Sequence, residues 1–269
     1  MKTSVKIKFA QIISWFLIFF LRQNKLTVTR NNINWKLNLN EAIDLTIFLI
    51  GKFEPSILKT LKKLSNYNCD YIDIGANCGA HTMYMAKEFK DSRIFAIEPS
   101  EYSFKKLKSN LKINPKINKN IYLFQAFVNY KKTKPTSVYS SWELNSSRSK
   151  HKLHQGVKKS IQSARVISLD ELVEKFNIKN SIIKCDVDGN ELFVFKSAAE
   201  YLKKYKPKII MELAPYLYKE HGYNSATLFN FFKKFKYKFF DITTNKEIKD
   251  IQNFSDSISS GESKNIFLI

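Results

Sequence analysis

The stretch that most constrains this chain is a short apolar segment that ends in a glycine-containing turn. Residues 71–79 read Tyr-Ile-Asp-Ile-Gly-Ala-Asn-Cys-Gly, which predicts a buried strand followed by a turn. Residues 80–89 can form a helix, residues 93–97 predict a second strand, and Glu98 follows 25 residues after Asp73. This order is typical of a nucleotide-binding βαβ unit, which consists of a strand, a glycine turn, a helix and a second strand that ends in an acid.

The turn favours a ligand without phosphates. The dinucleotide fingerprint Gly-x-Gly-x-x-Gly is incomplete, because Asn77 stands between Gly75 and Gly79. Asp73 would lie close to a diphosphate and repel it in a low-dielectric crevice. S-adenosylmethionine carries a sulfonium and an ammonium and no phosphate, so it suits that carboxylate better. Glycine backbone would admit this cofactor, the helix N-terminus would favour its carboxylate, and Glu98 would accept hydrogen bonds from its ribose hydroxyls.

The basic charge of the chain comes mostly from lysine. The formal net charge is +21, and arginine occurs at only five of the 269 positions. Because arginine is favoured for bidentate recognition of phosphates and bases, a lysine excess spread over the chain is weak evidence for a nucleic-acid partner. A solvated basic surface, an anionic substrate and an anionic membrane surface all fit this charge.

Cysteine usage indicates a reducing compartment. Cys69, Cys78 and Cys185 show no metal-ligand spacing, and an odd number of cysteines does not suit a disulfide framework. We therefore expect a cytoplasmic protein. Cys78 lies in the glycine turn, where we expect a small buried side chain and not a nucleophile.

The first 50 residues predict a small N-terminal extension. The apolar run 9–21 would form a helix about 20 Å long, which is shorter than the ~30 Å hydrocarbon core of a bilayer. It is either a helix packed on the domain or, through residues 6–24, a peripheral contact with the inner face of a membrane. Alternating segments at 26–29 and 34–39 predict a hairpin. We therefore divide the chain into an extension, 1–50, and a main domain, 51–269.

The main domain predicts an α/β fold with a doubly wound, mostly parallel sheet of seven strands. Strands after the first two are expected at residues 121–127, 181–187, 208–213, 237–242 and 265–269, with a short extra strand at 165–169. The polar segment 131–162 is either a substrate-facing insertion or an edge hairpin and loop. Ligands of such sheets bind outside the carboxyl ends of the strands. This rule gathers the 73–79 turn, Glu98, Gln125, Asp186 and Glu212 around one crevice.

Five motifs in order resemble the FkbM-type methyltransferases. They are residues 71–79, Ile-Glu-Pro (97–99), Ser-Leu-Asp-Glu-Leu (168–172), Ile-Lys-Cys-Asp-Val-Asp-Gly-Asn-Glu (183–191) and Met-Glu-Leu (211–213). The resemblance begins at about Gly51-Lys52-Phe53-Glu54-Pro55 and runs to the C-terminus. It implies a class I fold that uses S-adenosylmethionine and has an antiparallel seventh strand. It also implies O-methylation of a hydroxyl on a sugar, a glycan or glycolipid precursor, or a similar small product.

Residue roles follow from this hypothesis. The expected cofactor contacts are Asp73, Gly75, Ala76, Asn77, Gly79, Glu98, Pro99 and Gln125, with Gln125 near the base. Asp186 is the first candidate for the base that deprotonates the acceptor hydroxyl, and the expected helpers are Asp188, Glu191 and Glu212. These carboxylates could also hold Mg²⁺, although their spacing does not require a metal. Alternatively, Asp188 and Glu191 form a capping box at a helix start. His151, His154 and His221 are alternative bases.

Two other functions compete with this hypothesis. An RNA methyltransferase would explain the charge, but base-amino methylation typically shows Asp/Asn-Pro-Pro-aromatic where residues 185–188 read Cys-Asp-Val-Asp. A non-catalytic scaffold at a membrane surface would explain the apolar, lysine-flanked N-terminus, but the acids would then have no role. We therefore expect a small-molecule or glycan acceptor and no nucleic-acid partner, and we predict no particular oligomeric state.

Overall fold

A central seven-stranded sheet organises the part of the chain that this computed structural model describes, which is residues 3–66, 68–144 and 150–269. The strands of the described residues are β1 (Lys25–Arg30), β2 (Ile33–Asn38), β3 (Asp70–Ile74), β4 (Ile94–Ile97), β5 (Ile121–Phe124), β6 (Ala126–Val128), β7 (Ser137–Ser140), β8 (Val157–Ser160), β9 (Arg165–Ile167), β10 (Ser181–Cys185), β11 (Lys208–Leu213), β12 (Phe239–Asp241) and β13 (Lys264–Leu268). The helices are α1 (Thr3–Leu21), α2 (Ala42–Ile50), α3 (Pro55–Leu64), α4 (Ala80–Glu88), α5 (Glu101–Lys112), α6 (Leu169–Lys175), α7 (Glu191–Lys196), α8 (Ala199–Tyr205), α9 (Pro215–Tyr218), α10 (Ser225–Lys233) and α11 (Ile251–Asp256).

The sheet is doubly wound, as the sequence predicted. Its strand order is β12-β13-β11-β10-β3-β4-β5, and β3, β4, β5, β10 and β11 run parallel. The last strand, β13, is antiparallel to both of its neighbours. Because the chain winds outward from β3 and then returns to β10 on the other side, the switch in strand order lies between β3 and β10. Ligand crevices of such sheets form at this point.

The central strands are buried on both faces, which explains their continuous apolar runs. On one face, Tyr71 packs with Ile57 and Leu61 of α3. On the other face, Ile72 belongs to a larger cluster that includes Phe195 of α7. Full burial of one such side chain contributes about 1.5–3 kcal/mol to stability, so these two layers fix the sheet and the loops at its tips.

The N-terminal segment contains the expected helix and hairpin. Asn31 and Asn32 both have positive φ (48° and 57°), which suits the tight turn of a two-residue hairpin loop. Strand β2 buries alternate residues, and Trp35 packs in a cluster with Leu107 and Leu111 of α5. The segment thus shares a core with the main domain. A domain boundary at residue 50 stays a prediction.

A buried ionic cluster also joins this segment to α5. The Lys106 ammonium lies 2.8 Å from Glu41 Oε2 and also pairs with Asp44. The Tyr102 hydroxyl donates to Glu41 Oε1 at 2.6 Å, and the backbone N–H of Asn38 donates to Asp44 Oδ2 at 2.6 Å. Burial alone would raise the pKa of Glu41, but Lys106 and Tyr102 lower it, whereas burial dominates at Asp44 and raises its pKa to about 6. We call these residues the Lys106 cluster.

Three local predictions were wrong. The strand expected at 121–127 breaks at Gln125, because β6 leaves the central sheet and pairs with β9. The apolar spacing of Leu192, Phe195, Ala199 and Leu202 predicts one helix after residue 191, but the structure has two, α7 and α8, separated at 197–198. The capping box does not form, because Asn190 occupies the N-cap position of α7 without a side-chain hydrogen bond.

The polar segment expected at 131–162 contains a hairpin. Strands β7 and β8 pair antiparallel, from Ser137 opposite Ser160 to Ser140 opposite Val157. Residues 145–149 of this segment lie outside the described residues. The hairpin packs beside the carboxyl ends of the parallel strands, where it meets the crevice described next.

Candidate functional site

A cavity of about 460 Å³ opens at the carboxyl ends of β3, β4, β10 and β11. Its size is typical of sites for small molecules and cofactors. The hairpin β7–β8 and helix α2 border it as well. The structure brings eight of the twelve predicted site residues into its lining: Gly75, Ala76, Asn77, Glu98, Pro99, Asp186, Asp188 and Glu212. The convergence of strand ends thus does gather most of the candidates around one cavity.

The glycine turn is held against the loop that follows β10. Gly75 has a φ of 79°, and a Cβ atom there would lie 1.9 Å from the backbone oxygen of Asp186. Gly79, with a φ of 91°, faces inward instead, and a Cβ atom there would lie 2.5 Å from Leu107 Cδ1. Gly75 is therefore required for close contact between two strand tips, and Gly79 for the packing of α5. Gly79 lies outside the cavity lining.

Glu98 is fixed at the end of β4 by two backbone amides. The Asn77 N–H donates to Oε2 and the Ser100 N–H donates to Oε1, each at 2.9 Å. Ser100 also caps α5 by accepting a hydrogen bond from the amide of Ser103. Burial raises the pKa of Glu98, although these hydrogen bonds oppose the rise. Each carboxylate oxygen keeps a second lone pair, so an oriented acceptor of hydrogen bonds borders the cavity.

Asp73 lies behind the turn, fully buried and outside the cavity lining. The Thr82 hydroxyl donates to its Oδ2 at 2.6 Å, and the Lys184 ammonium lies 3.4 Å from its Oδ1. Lys184 also donates to the Gly75 carbonyl at 3.2 Å. Burial would lower the pKa of Lys184, but Asp73, Asp186 and a further acid, Glu54, raise it. Asp73 thus acts on the turn through Lys184 and makes no direct contact with the cavity.

Several carboxylates lie near Lys184. Asp186 Oδ2 lies 3.5 Å from the Lys184 ammonium, and about a third of the Asp186 side chain is exposed. Burial, together with Asp186 and Glu191, raises the pKa of Asp188 well above its usual value. Burial, together with Asp186 and Asp188, does the same to Glu212, which accepts a hydrogen bond from Ser263. We call Glu54, Asp186, Asp188 and Glu212, with Lys184, the strand-tip cluster.

Two cavity residues were missed by sequence reasoning. Glu54 precedes α3 and accepts a hydrogen bond from Asn265 at 2.9 Å through Oε1. Its Oε2 lies 3.5 Å from His81 Nε2, and neither atom has a hydrogen-bond partner among the described residues. Burial and Asp186 raise the pKa of Glu54 to about 7, whereas burial and Lys184 lower that of His81 to about 3. The available signals were the position of His81 just after the turn and the Gly-Lys-Phe-Glu-Pro segment.

Two further candidates lie away from the cavity. Glu191 is buried and accepts hydrogen bonds from the Gly189 amide and the Tyr223 hydroxyl at 3.3 and 3.4 Å. Burial raises its pKa to about 7. Gln125 donates to Ser163 at 2.8 Å on the exposed side of the break between β5 and β6. Both residues lie outside the cavity lining, so their predicted contacts with substrate and cofactor stay predictions.

The predicted histidines cluster around a second cavity of about 470 Å³. His151 pairs with Glu220 at 3.0 Å and stacks on His154, and His221 lies in the same lining. Burial and His151 lower the pKa of His154 to about 4. Both cavities are lined by His154 and Asp188, so they meet beside the acids that follow β10.

Residues 3–66, 68–144 and 150–269 contain neither a cluster of metal-ligating side chains nor a membrane-spanning helix. No group of three or more His, Cys, Asp or Glu in these ranges has the arrangement of a metal site. No helix in the same ranges combines the length and the apolarity needed to cross a membrane.

The doubly wound sheet and the cofactor-sized cavity at its switch point define a class: this is the Rossmann-like fold of methyltransferases that use S-adenosylmethionine. The family described as "Methyltransferase FkbM domain" matches residues 73–239, which is more than half of the chain. The chain belongs to this family. No curated protein shows significant sequence similarity to it.

Solved methyltransferase structures are similar at low sequence identity. The human methyltransferase 10 domain-containing protein aligns with a TM-score of 0.47 and 11% identity over 97% of this chain and 94% of its own. Precorrin-6y C5,15-methyltransferase from Geobacter metallireducens gives 0.43 and 14% over 78% and 84%. M. jannaschii TYW2 in complex with AdoMet gives 0.42 and 13% over 91% and 84%. At these TM-scores, nothing about substrate follows from the similarity.

Proposed function

We propose that this chain is an S-adenosylmethionine-dependent O-methyltransferase that acts on a hydroxyl of a sugar, a glycan or glycolipid precursor, or a similar small product. The observation that carries the proposal is the charge of the first cavity. Among the described residues that line it, six are carboxylic acids and two are lysines. Such a cavity disfavours phosphates and favours a cationic ligand.

The residues present fit the cofactor. Glu98, anchored by two amides, keeps free lone pairs for the two ribose hydroxyls. Glu54 has a buried carboxylate oxygen without a hydrogen-bond partner among the described residues, and it would bind the ammonium. The Gly75–Asn77 backbone would form the floor beneath the ligand. When bound, this cofactor supplies an electrophilic methyl group on a positive sulfonium.

The acids after β10 and β11 divide into two roles. Asp186 is ion-paired with Lys184 and partly exposed, so one carboxylate oxygen remains accessible to a substrate hydroxyl. It would accept the proton of that hydroxyl as the general base. Burial and the neighbouring carboxylates raise the pKa values of Asp188 and Glu212 well above their usual range, which favours the protonated form of each group. They would donate hydrogen bonds that orient the acceptor.

The second cavity supports an acceptor of small size. It meets the first cavity at Asp188 and Asn190, and its volume admits a small molecule. Tyr130 and Phe193 offer ring surfaces there, and Glu220 offers a hydrogen-bonding carboxylate. A polyhydroxylated acceptor would use both features, with its reacting hydroxyl directed at the junction of the two cavities.

Mass spectrometry of glycans and glycolipids tests this proposal. Cells that lack the gene should miss a methyl ether on one hydroxylated product, and the wild-type gene should restore it. The Asp186→Asn gene should not restore it, whereas Asp256→Asn, which changes an exposed acid of α11, should. A methyl group on a nitrogen or on RNA, in place of a methyl ether, would contradict the proposal.

A further inference from the structure

One face of α1 is apolar and open to solvent. Six large side chains of this face are between 50% and 74% exposed: Phe9, Ile12, Trp15, Phe16, Phe19 and Phe20. Trp15 stacks on Phe19 with ring centroids 5.6 Å apart, so the aromatic rings form a continuous surface. Contiguous exposed apolar surface of this kind marks an interaction site in a soluble protein.

The helix cannot bury this face by turning, because its opposite face is already fixed to the domain. Ile7 and Leu17 pack in a cluster with Leu39 and Leu45. The buried Ser14 hydroxyl donates to the Leu39 carbonyl at 2.8 Å. Rotation of the helix would exchange one apolar face for another and break this buried hydrogen bond. The exposed face is therefore a stable feature of the surface.

The charge around α1 indicates what covers this face. Residues 1–40 contain seven Lys or Arg and no Asp or Glu. Lys6 and Lys8 near the helix start, and Arg22 and Lys25 just beyond its end, are exposed. Aromatic and aliphatic residues beside exposed basic residues suit the boundary between headgroups and acyl chains of an anionic membrane. Each basic residue near such a surface strengthens the electrostatic attraction to it.

The same helix borders the first cavity. Lys6 of α1 contributes to the cavity lining, and so do Ala42, Ile43 and Thr46 of α2, against which α1 packs. A surface that covers the exposed face of α1 would thus lie beside the cavity. An acceptor anchored in that surface could enter the cavity without leaving the membrane.

We infer that α1 docks flat on an anionic lipid surface and that the methyl acceptor is the hydroxylated headgroup of a lipid-linked molecule. The second half of this inference rests on the proposed function, and the first half does not. Docking buries the aromatic face among the acyl chains and places Lys6 and Lys8 among anionic headgroups. The cavity then receives headgroups in preference to free sugars.

Flotation with vesicles tests the docking. The full chain should float with vesicles of phosphatidylcholine and phosphatidylglycerol, and much less with phosphatidylcholine alone. The triple variant Phe16→Ser/Phe19→Ser/Phe20→Ser should lose at least about tenfold in vesicle affinity. Ile269→Ser, which removes an exposed apolar residue at the far end of the chain, should float as the wild type does.

Folding of the triple variant is checked by its melting temperature and its affinity for S-adenosylmethionine, both of which should match the wild type. A wild-type chain that stays out of the vesicle fraction would overturn the docking. Equal flotation of wild type and triple variant would overturn it too. So would a wild-type dimer that the triple variant converts to monomer, because a second copy would then cover the face.

A labelling experiment tests the acceptor. Cells that lack the gene are separated into a lipid extract and an aqueous sugar extract, and each is incubated with the chain and labelled S-adenosylmethionine. Label should enter the lipid extract, and the triple variant should reduce its incorporation about tenfold in vesicles. Label in the aqueous extract alone would overturn the lipid-linked acceptor and leave the proposed function intact. If neither extract is labelled, the lipid-linked acceptor and the proposed function are both overturned. The flotation experiment tests the docking independently of this result.

Discussion

The Lys106 cluster and the strand-tip cluster both place acids around one largely buried lysine, and they differ in how many of those acids the lysine contacts. Lys106 contacts both of its acids, the Tyr102 hydroxyl donates to Glu41 and the Asn38 backbone N–H donates to Asp44, so that Asp44 Oδ1 is the one oxygen of the two acids without a hydrogen-bond partner among the described residues. Lys184 contacts Asp73 and Asp186, while Glu54, Asp188 and Glu212 have raised pKa values from burial and mutual repulsion.

This difference distinguishes a structural cluster from the cluster that we propose to bind ligands. In the first, removal of a charge leaves a buried charge unpaired and costs stability. In the second, several acids already lack a neutralising partner in the folded chain. Substitution of one of them by a neutral residue should therefore change the free energy of unfolding little and lower the affinity for a ligand strongly. Carboxylates without a neutralising partner are typical of sites in which a bound ligand supplies the positive charge.

The largest expected effect is on catalysis, from Asp186→Asn. Loss of a general base lowers methyl transfer by about 10²–10⁴-fold. The free energy of unfolding should change by less than about 0.5 kcal/mol, because the residue is partly exposed. Turnover assays with labelled cofactor and urea unfolding measure the two quantities. Asp256→Asn is the matched control, and equal turnover of both variants would remove Asp186 from the reaction.

The next effect is on stability, from Lys106→Met. The buried carboxylates of Glu41 and Asp44 then lose their nearest cation, and the chain should lose about 3–5 kcal/mol of unfolding free energy. Urea unfolding measures this loss. Lys105→Met, which removes the exposed neighbour that pairs with Glu101, should change the same quantity by less than about 0.5 kcal/mol. Similar values for the two variants would remove the contrast between the clusters.

A smaller effect is expected on cofactor binding, from Glu98→Ala. One hydrogen bond to a charged group contributes about 1.5–3 kcal/mol, so loss of the two that we propose should lower the affinity for S-adenosylmethionine by at least about 10–100-fold. Isothermal titration calorimetry measures it. Glu101→Ala, three residues away on the exposed side of α5, should leave the affinity unchanged. An unaltered affinity of Glu98→Ala would refute its assignment to the ribose.

The smallest effect is a pH dependence of cofactor affinity that comes from Glu54. Its pKa of about 7 means that the carboxyl is protonated below neutral pH in the free protein. An ammonium binds the ionised form, so binding releases the proton. The affinity should therefore rise about tenfold from about pH 6 to about pH 8 and level off above that. Glu54→Gln should bind more weakly with a flat profile. A sloping profile in Glu54→Gln would assign the titration to another group.

Much of the fold follows from local sequence patterns. Buried parallel strands are continuous apolar runs, and helices with one apolar stripe alternate with them, so the doubly wound sheet was predictable. The break at Gln125 was not, because residues 121–128 form one mostly apolar run with no glycine or proline to mark an interruption. Only the pairing of β6 with β9, which come from distant segments, decides where the strand leaves the sheet.

The site was predictable to the extent that strand ends define it. The positions of Asp186 and Glu212 follow from topology, whereas the position of Asp73 depends on where Lys184 points across the sheet. Glu54 and His81 approach each other only in the folded chain, because Glu54 lies just before α3 and His81 lies in α4. The N-terminal run gave two alternatives, packing or membrane contact, and α1 has one face suited to each.

The contact of Gly75 with the Asp186 carbonyl has a consequence for how this enzyme family can vary. A methyl group at position 75 would overlap that oxygen, so the floor of the proposed nucleoside pocket and the loop that bears the proposed base would be displaced together. Under the proposed function, one substitution at a residue with no chemistry of its own would therefore impair cofactor binding and catalysis together.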